Sequence, residues 1–395
     1  MIYEINPHSL MEEIKGLKVY PGALDIMLGK SRIIPLKLVG VRTPAANIIK
    51  QEMLAAGGDC AVPGSAITCA QPQVDVILLG SRKHYNILLY KLGQMPYFGI
   101  PGFVAELEGY LARKGKSTLL ADGRRLEYGK MAVMGIINVT PDSFFAGSRR
   151  QGQDAVLEQA ERMLADGAAV LDIGGESTRP GSDPVTPEEE RNRVLPAIEA
   201  IKRRFPESVI SVDTYRSGLA REAVAAGADI INDISAMDAD PLMEDVVCET
   251  GAPIILMHMK GKPKNMQKQC EYGNVVQEVA AHLLERADRL RQRGVGADRI
   301  MLDPGIGFAK DDRQNLKLMQ NLNSLTGTEY PVLMAASRKT TIGHVLGDLP
   351  AEERLEGTMA VTAAALACGA DMVRVHDVRE HVRLIRMLEA IRDVE

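Results

Sequence analysis

A chain of 395 residues, 46% hydrophobic and 25% charged, has an ordinary globular composition and the length for a barrel plus a smaller partner domain. A net charge of −5 argues against nucleic acid as the main partner, and no tryptophan with 4% aromatics leaves no base-stacking platform. No apolar run approaches the ~18 residues of a membrane span, the start MIYEINPHSLMEEIKG lacks the layout of a signal peptide, and Cys60, Cys69, Cys248, Cys270 and Cys368 lack metal spacing, so a soluble cytoplasmic protein with free thiols is expected.

The first region runs over residues 1–118. Ile33–Val41 and Val74–Leu79 carry strand patterns. Pro44–Ala56 has apolar residues at helical spacing, with Thr43 and Pro44 suited to N-cap and N1. His84–Leu92 and Glu106–Arg113 are further helix candidates, giving a small α/β domain. Gly57–Gly58 and the GIPG at 99–102 could suggest phosphate binding, but glycine after a helix is more simply a C-cap. Residues 119–130 read as a polar connector, with a short hairpin around Asp122–Gly123.

From 131 to 395 strands and helices alternate. Strand candidates are 132–137, 168–173, 208–212, 229–232, 253–257, 299–302, 331–336 and 371–375. Helical stretches lie at 153–165, 188–204, 216–226, 241–250, 275–293, 312–320 and 353–368, and 378–392 closes the chain. Eight strand–helix units fit a (β/α)8 TIM barrel. A doubly wound open sheet is the competitor, but it concentrates its glycines in one crossover, whereas here polar clusters follow nearly every strand.

Those strand ends are Asn138, Gly174–Arg179, Asp213, Asn232–Asp233, His258, Asp303 with PGIGFAK, Ser337–Arg338–Lys339, and Arg374 with His376. One Asp after a strand is as readily a helix N-cap, and one His is more often structural. Polar groups at all eight ends point to a functional mouth. Arg179, Lys339, Arg374 and His376, with Asn138 and Thr178, suit a phosphate or pyrophosphate. Asp213, Asn232 and Asp303, read as lying on neighbouring strands, suit a flat heterocycle that offers N–H donors. With no P-loop, metal cage or Ser-His-Asp set, the chemistry expected is positioning and electrostatic stabilisation of a departing anion.

MGIINVTPDSF and DIGGESTRPG, followed in order by SVDT, INDIS, MHMKG, DPGIGFAK, SRK and RVHDV, closely resemble the motifs of the dihydropteroate synthase family. The resemblance covers residues 131–395. It implies a transferase of folate biosynthesis that joins 6-hydroxymethyl-7,8-dihydropterin pyrophosphate to 4-aminobenzoate, with Mg²⁺ assisting pyrophosphate loss and the amine capturing a pterin cation. It further implies that Asp213, Asn232, Asp303 and Lys339 hold the pterin beside Met257, and that Asn138, Arg374 and His376 hold the pyrophosphate, Asn138 reaching the Mg²⁺. Thr178, Arg179, Pro180, Phe308 and Ser337 would form the aminobenzoate pocket, under loops 139–150 and 175–185. A homodimer is implied as well.

The chain departs from the family pattern where PDSF is followed by FAGSRRQG instead of an Asp-Gly-Gly turn, and where Ala335–Ala336 precede SRK. Residues 1–118 have no counterpart in the common form and resemble the extension of longer versions, for which a structural or oligomer-forming role is expected. Two rivals stand beside this reading. One is a methyltetrahydrofolate-corrinoid methyltransferase, which would not need Thr178–Arg179, Ser337–Lys339 and Arg374 together. The other is a non-catalytic pterin-binding protein. The basic run Lys260–Lys268 is expected to be a solvated loop and not a nucleic-acid contact.

Overall fold

The computed structural model describes residues 2–3, 5, 7, 9–112, 115–139, 149–176, 185–261, 266 and 269–394. The chain divides into two units, Met1–Lys114 with Arg392–Glu395, and Gly115–Ile391.

In the first unit, strands β1 (Ile34–Arg42), β2 (Asp59–Ala61) and β3 (Gln73–Gly80) form an antiparallel sheet in the order β1-β3-β2. One face packs on helices Thr43–Ala55, Arg82–Leu92 and Ile100–Leu111, where Ile49, Met53, Tyr85, Leu88 and Ile100 meet Val76 and Leu78. Gly57, at φ +91 just after the first of these helices, fits the C-cap reading. The GIPG stretch does the opposite of capping an end. Gly99, at φ +82, opens the third helix and Pro101 occupies its first turn, so that helix starts at Ile100 and not at Glu106.

The second unit is the expected barrel. Strands β6 (Ala132–Asn138), β7 (Val170–Gly174), β8 (Ile210–Asp213), β9 (Ile230–Asp233), β10 (Ile254–Met257), β11 (Ile300–Asp303), β12 (Leu333–Met334) and β13 (Met372–Val375) pair in parallel. Their order, β11-β10-β9-β8-β7-β6-β13-β12, leaves β11 and β12 at the two ends. A parallel bridge from Leu302 to Val332, with the Leu302 N–H donating to Pro331 O at 2.9 Å, joins those ends. An open doubly wound sheet is thereby excluded. Helices cover the outer face of the strands and inward side chains fill the barrel, so β7, β9, β10 and β11 are buried throughout.

Residues ahead of the barrel do more than connect. Before β6, strands β4 (Ser117–Leu119) and β5 (Arg125–Glu127) form a hairpin whose turn holds Gly123 at φ +90. Leu120, 1% exposed, packs with Met134, Val170, Val209, Ile230, Ile255, Met301, Leu333 and Met372. Seven barrel strands, and Val209 just before β8, each send one apolar residue to this layer near the amino-terminal end, and the hairpin stoppers it. Three ion pairs fasten the stopper, Arg124 to Asp229 at 2.8 Å, Arg125 to Asp298 at 3.0 Å and Lys116 to Asp371 at 3.2 Å. Asp229 also accepts from Lys202 and the Ile210 N–H, and Asp371 from the Val332 N–H, so both carboxylates are well supplied with donors.

Candidate active site

Side chains alternate along a strand, so the inward face can be counted upward from the stoppered layer. Two residues further on stand Ile136, Asp172, Ser211, Asn232, Met257, Asp303, Ala335 and Arg374. Two more give Asn138, Gly174, Asp213, Ile234, Met259, Gly305, Ser337 and His376. The apolar base thus gives way to a polar upper half within one pleat. It contains Asn138, Asp213, Asn232, Met257, Asp303, Ser337, Arg374 and His376, all expected from the sequence.

At its centre is Asp172, fully buried on β7. Its Oδ2 accepts from Arg374 Nε at 2.5 Å and Asn232 Nδ2 at 3.2 Å. Arg374 also donates through Nη2 to Asp213 at 2.7 Å. The proposed division into an acceptor set and a cationic set therefore needs correction, because Arg374 is ion-paired with two carboxylates and joins both. The strand order corrects a second point. Asp213 and Asn232 are paired neighbours, but Met257 on β10 separates Asn232 from Asp303. Burial pushes the Asp213 carboxyl well above the usual range, against the pull of Arg374. Burial likewise pushes Asp303 up to about 6, although its Oδ1 accepts the Gly305 N–H at 2.7 Å.

Around this centre the remaining residues fall into pairs. Met257 and Phe308 share a small apolar cluster with Ile234, Met266 and Ala309. The Lys339 ammonium stands 4.0 Å over the Phe308 ring, and its stem runs beside Gly307, where a Cβ would come within 3.1 Å of it. Ser337 Oγ lies 2.9 Å from His376 Nδ1 and accepts the His376 N–H, tying the ends of β12 and β13. Asn138 is exposed at the end of β6, in register with Gly174. Thr178, Arg179 and Pro180 lie outside the described residues, as do most of both loops, 140–148 and 177–184, and much of the basic run, 262–265 and 267–268.

Sequence reasoning passed over several groups. Asp172 sits inside a recognised motif, yet it precedes the strand end, and only the period of two would have placed it inside. Arg216, which binds Glu176 at 2.7 Å and also Glu190, begins a helix and gave no signal. Lys310 forms a buried pair with His258, a residue that the strand-end reading did name. A lysine in the otherwise small and apolar run GIGFAK was the available clue.

Residues 134–376 match the profile of the pterin binding enzyme family. Over 262 residues the chain is 46% identical to the dihydropteroate synthase of Bacillus subtilis, covering 66% of this chain and 89% of that one. The chain belongs to the dihydropteroate synthase family. Among solved structures, the dihydropteroate synthase of Xanthomonas albilineans with 4-aminobenzoic acid superposes with a TM-score of 0.66 at 38% identity, covering 71% of this chain and all of that one. A Halobacterium salinarum protein named "Probable bifunctional folylpolyglutamate synthase/dihydropteroate synthase" is 38% identical over 383 residues. That match takes in 96% of this chain, and so most of residues 1–118, but only 46% of the other.

Proposed function

We propose that the chain condenses 6-hydroxymethyl-7,8-dihydropterin pyrophosphate with 4-aminobenzoate to give 7,8-dihydropteroate and pyrophosphate. The observation that carries this reading is Arg374 ion-paired with buried Asp172 and half-buried Asp213, with buried Asp303 beside them, at the carboxyl ends of the barrel strands of a dihydropteroate synthase family member. In the reaction the bond from the exocyclic methylene to pyrophosphate oxygen breaks with both electrons going to the leaving group. The amine nitrogen then forms the new C–N bond and loses a proton. Buried carboxylates favour the positive charge that develops on the pterin. Asp213, Asn232 and Asp303 accept from its N–H edge, with Met257 against the ring. Arg374, whose Nη1 donors have no partner among the described residues, and His376 receive the pyrophosphate, while Lys339 serves the pterin. Phe308 and Ser337, with Thr178, Arg179 and Pro180, are the candidates for the aminobenzoate pocket, in keeping with the 4-aminobenzoic acid in the Xanthomonas relative.

Mg²⁺ belongs to this reading. Among the described residues no group of three His, Cys, Asp or Glu could cage a metal, whereas Asn138 offers one neutral oxygen at the mouth. That donor set fits an ion bound mainly through substrate phosphates, with Asn138 holding its protein side. When bound, it would neutralise charge on the leaving pyrophosphate. Residues 1–118 as an accessory domain, a homodimer and a cytoplasmic location complete the proposal. The test is mass spectrometry of the purified chain with dihydropterin pyrophosphate, 4-aminobenzoate and Mg²⁺. Dihydropteroate is the expected product. Pterin binding without product would instead favour a binding protein or a corrinoid methyltransferase.

A further inference from the structure

Lys310 is 2% exposed, and its Nζ donates to Gly305 O at 2.9 Å, Phe308 O at 2.8 Å and His258 O at 3.2 Å, with His258 Nδ1 at 3.0 Å. An ammonium has three protons, which serve Gly305 O, Phe308 O and the side of His258, where Nδ1 and the carbonyl share one. The turn it fastens needs fastening. Gly305, Gly307 and Ala309 have φ of +68°, +83° and +50°, so alternate residues of the turn are left-handed, one of them carrying a Cβ. Carbonyl dipoles gathered on one point repel each other unless a cation sits there. The turn also lies directly on the exit of β10, since a Cβ on Gly305 would stand 2.0 Å from His258 O. Its outer side is held by Asn315, which accepts the Gly307 N–H at 2.9 Å, and by Tyr272, whose hydroxyl donates to Ala309 O at 3.0 Å.

This turn carries much of the site. Its Gly305 N–H fixes Asp303, Phe308 is one of its residues, and Lys339 lies along Gly307 and over Phe308. We propose that Lys310 is a positioning residue for the pterin site, an internal cation that gathers the carbonyls of the 305–308 turn and the end of β10 and thereby fixes Asp303, Met257 and Phe308 relative to one another. It does not itself touch substrate. Burial pushes the Lys310 ammonium down to about 7 and the charge of Asp303 pulls the other way, while the three carbonyls supply its hydrogen bonds. His258, pushed down to about 2 by burial and by Lys310, remains the neutral partner.

The inference rests on the function proposed above, and the experiment separates the two. Turnover and binding of 6-hydroxymethyl-7,8-dihydropterin are first measured on the full wild-type chain. Absence of both sinks the functional reading and this inference with it, while binding without turnover sinks only the former. Lys310→Met, with similar length and no donors, is then compared with wild type at a temperature where both are folded. Dihydropterin affinity and kcat are expected to fall roughly ten- to a hundredfold, the scale of a small displacement at a site. Affinity and kcat within twofold of wild type, with only Tm lowered, would make Lys310 a core residue and overturn the proposal. Should Lys310→Met not fold, His258→Gln and Tyr272→Phe each remove one support of the same turn and leave the carbonyls. A several-fold loss of pterin affinity in either one upholds the proposal, and unchanged affinity in both refutes it.

Discussion

Asp303 shows how one residue can be costly to the fold and useful to the site. Its carboxyl is raised to about 6, above the ~3.9 of an unfolded chain. The stability it contributes is thus fully present below about pH 4 and is lost as pH rises to about 6. Asp303→Asn should melt like wild type at pH 3.5 and above it at pH 8, by up to about 3 kcal/mol. A Tm series against pH checks this, and equal Tm at pH 8 refutes it. Activity runs the other way, because ionised Asp303 is the useful form. Wild-type kcat/KM for the dihydropterin pyrophosphate should fall below about pH 6, and the variant should be nearly inactive throughout. Two further substitutions separate the substrates. Lys339→Ala should raise the pterin KM by roughly a hundredfold, and Arg179→Ala should act mainly on the aminobenzoate KM. Steady-state constants for both substrates decide, and unchanged values in both variants would refute the strand-end assignment.

At the scale of elements, the hairpin β4–β5 is a stopper whose value lies in one side chain. Leu120→Ala empties a position in the apolar cluster to which seven strands and Val209 contribute and should cost roughly 3 kcal/mol, read as a lower urea midpoint. Both KM values should stay put, because Leu120 packs in the apolar layer beneath the site residues. The barrel strands were legible because each is an apolar run stopped by polar residues, and so were the strand ends. Less legible was whatever depends on partners distant in sequence. Leu120 looked like part of a polar connector because the apolar surface that buries it comes from 134 to 372. Arg374 looked like a free cation because Asp172 and Asp213 lie 202 and 161 residues away. In the first unit, β2 is three residues long, too short for a period to show. Helices Leu10–Gly16 and Pro21–Leu28 are one or two turns each and were missed for the same reason.

For the whole molecule, the boundary suggested by motif and the boundary of the folded unit differ. Family similarity begins in the first barrel strand, yet the unit holding the barrel begins at Gly115. A chain starting at Gly115 keeps the hairpin and should retain cooperative unfolding. One starting at Met131 loses Leu120, Arg124 and Lys116 together, and should melt lower and bind a hydrophobic dye. Equal Tm for the two would show that the stopper contributes nothing. The stopper also imposes an order of events on synthesis. The hairpin emerges ahead of every barrel strand, but its seat includes Met372, about 250 residues later in the chain. At ordinary elongation rates that interval is on the order of ten seconds or more. Throughout it Leu120 has no finished place to go, so the first segment of the barrel to leave the ribosome is among the last to reach its native contacts.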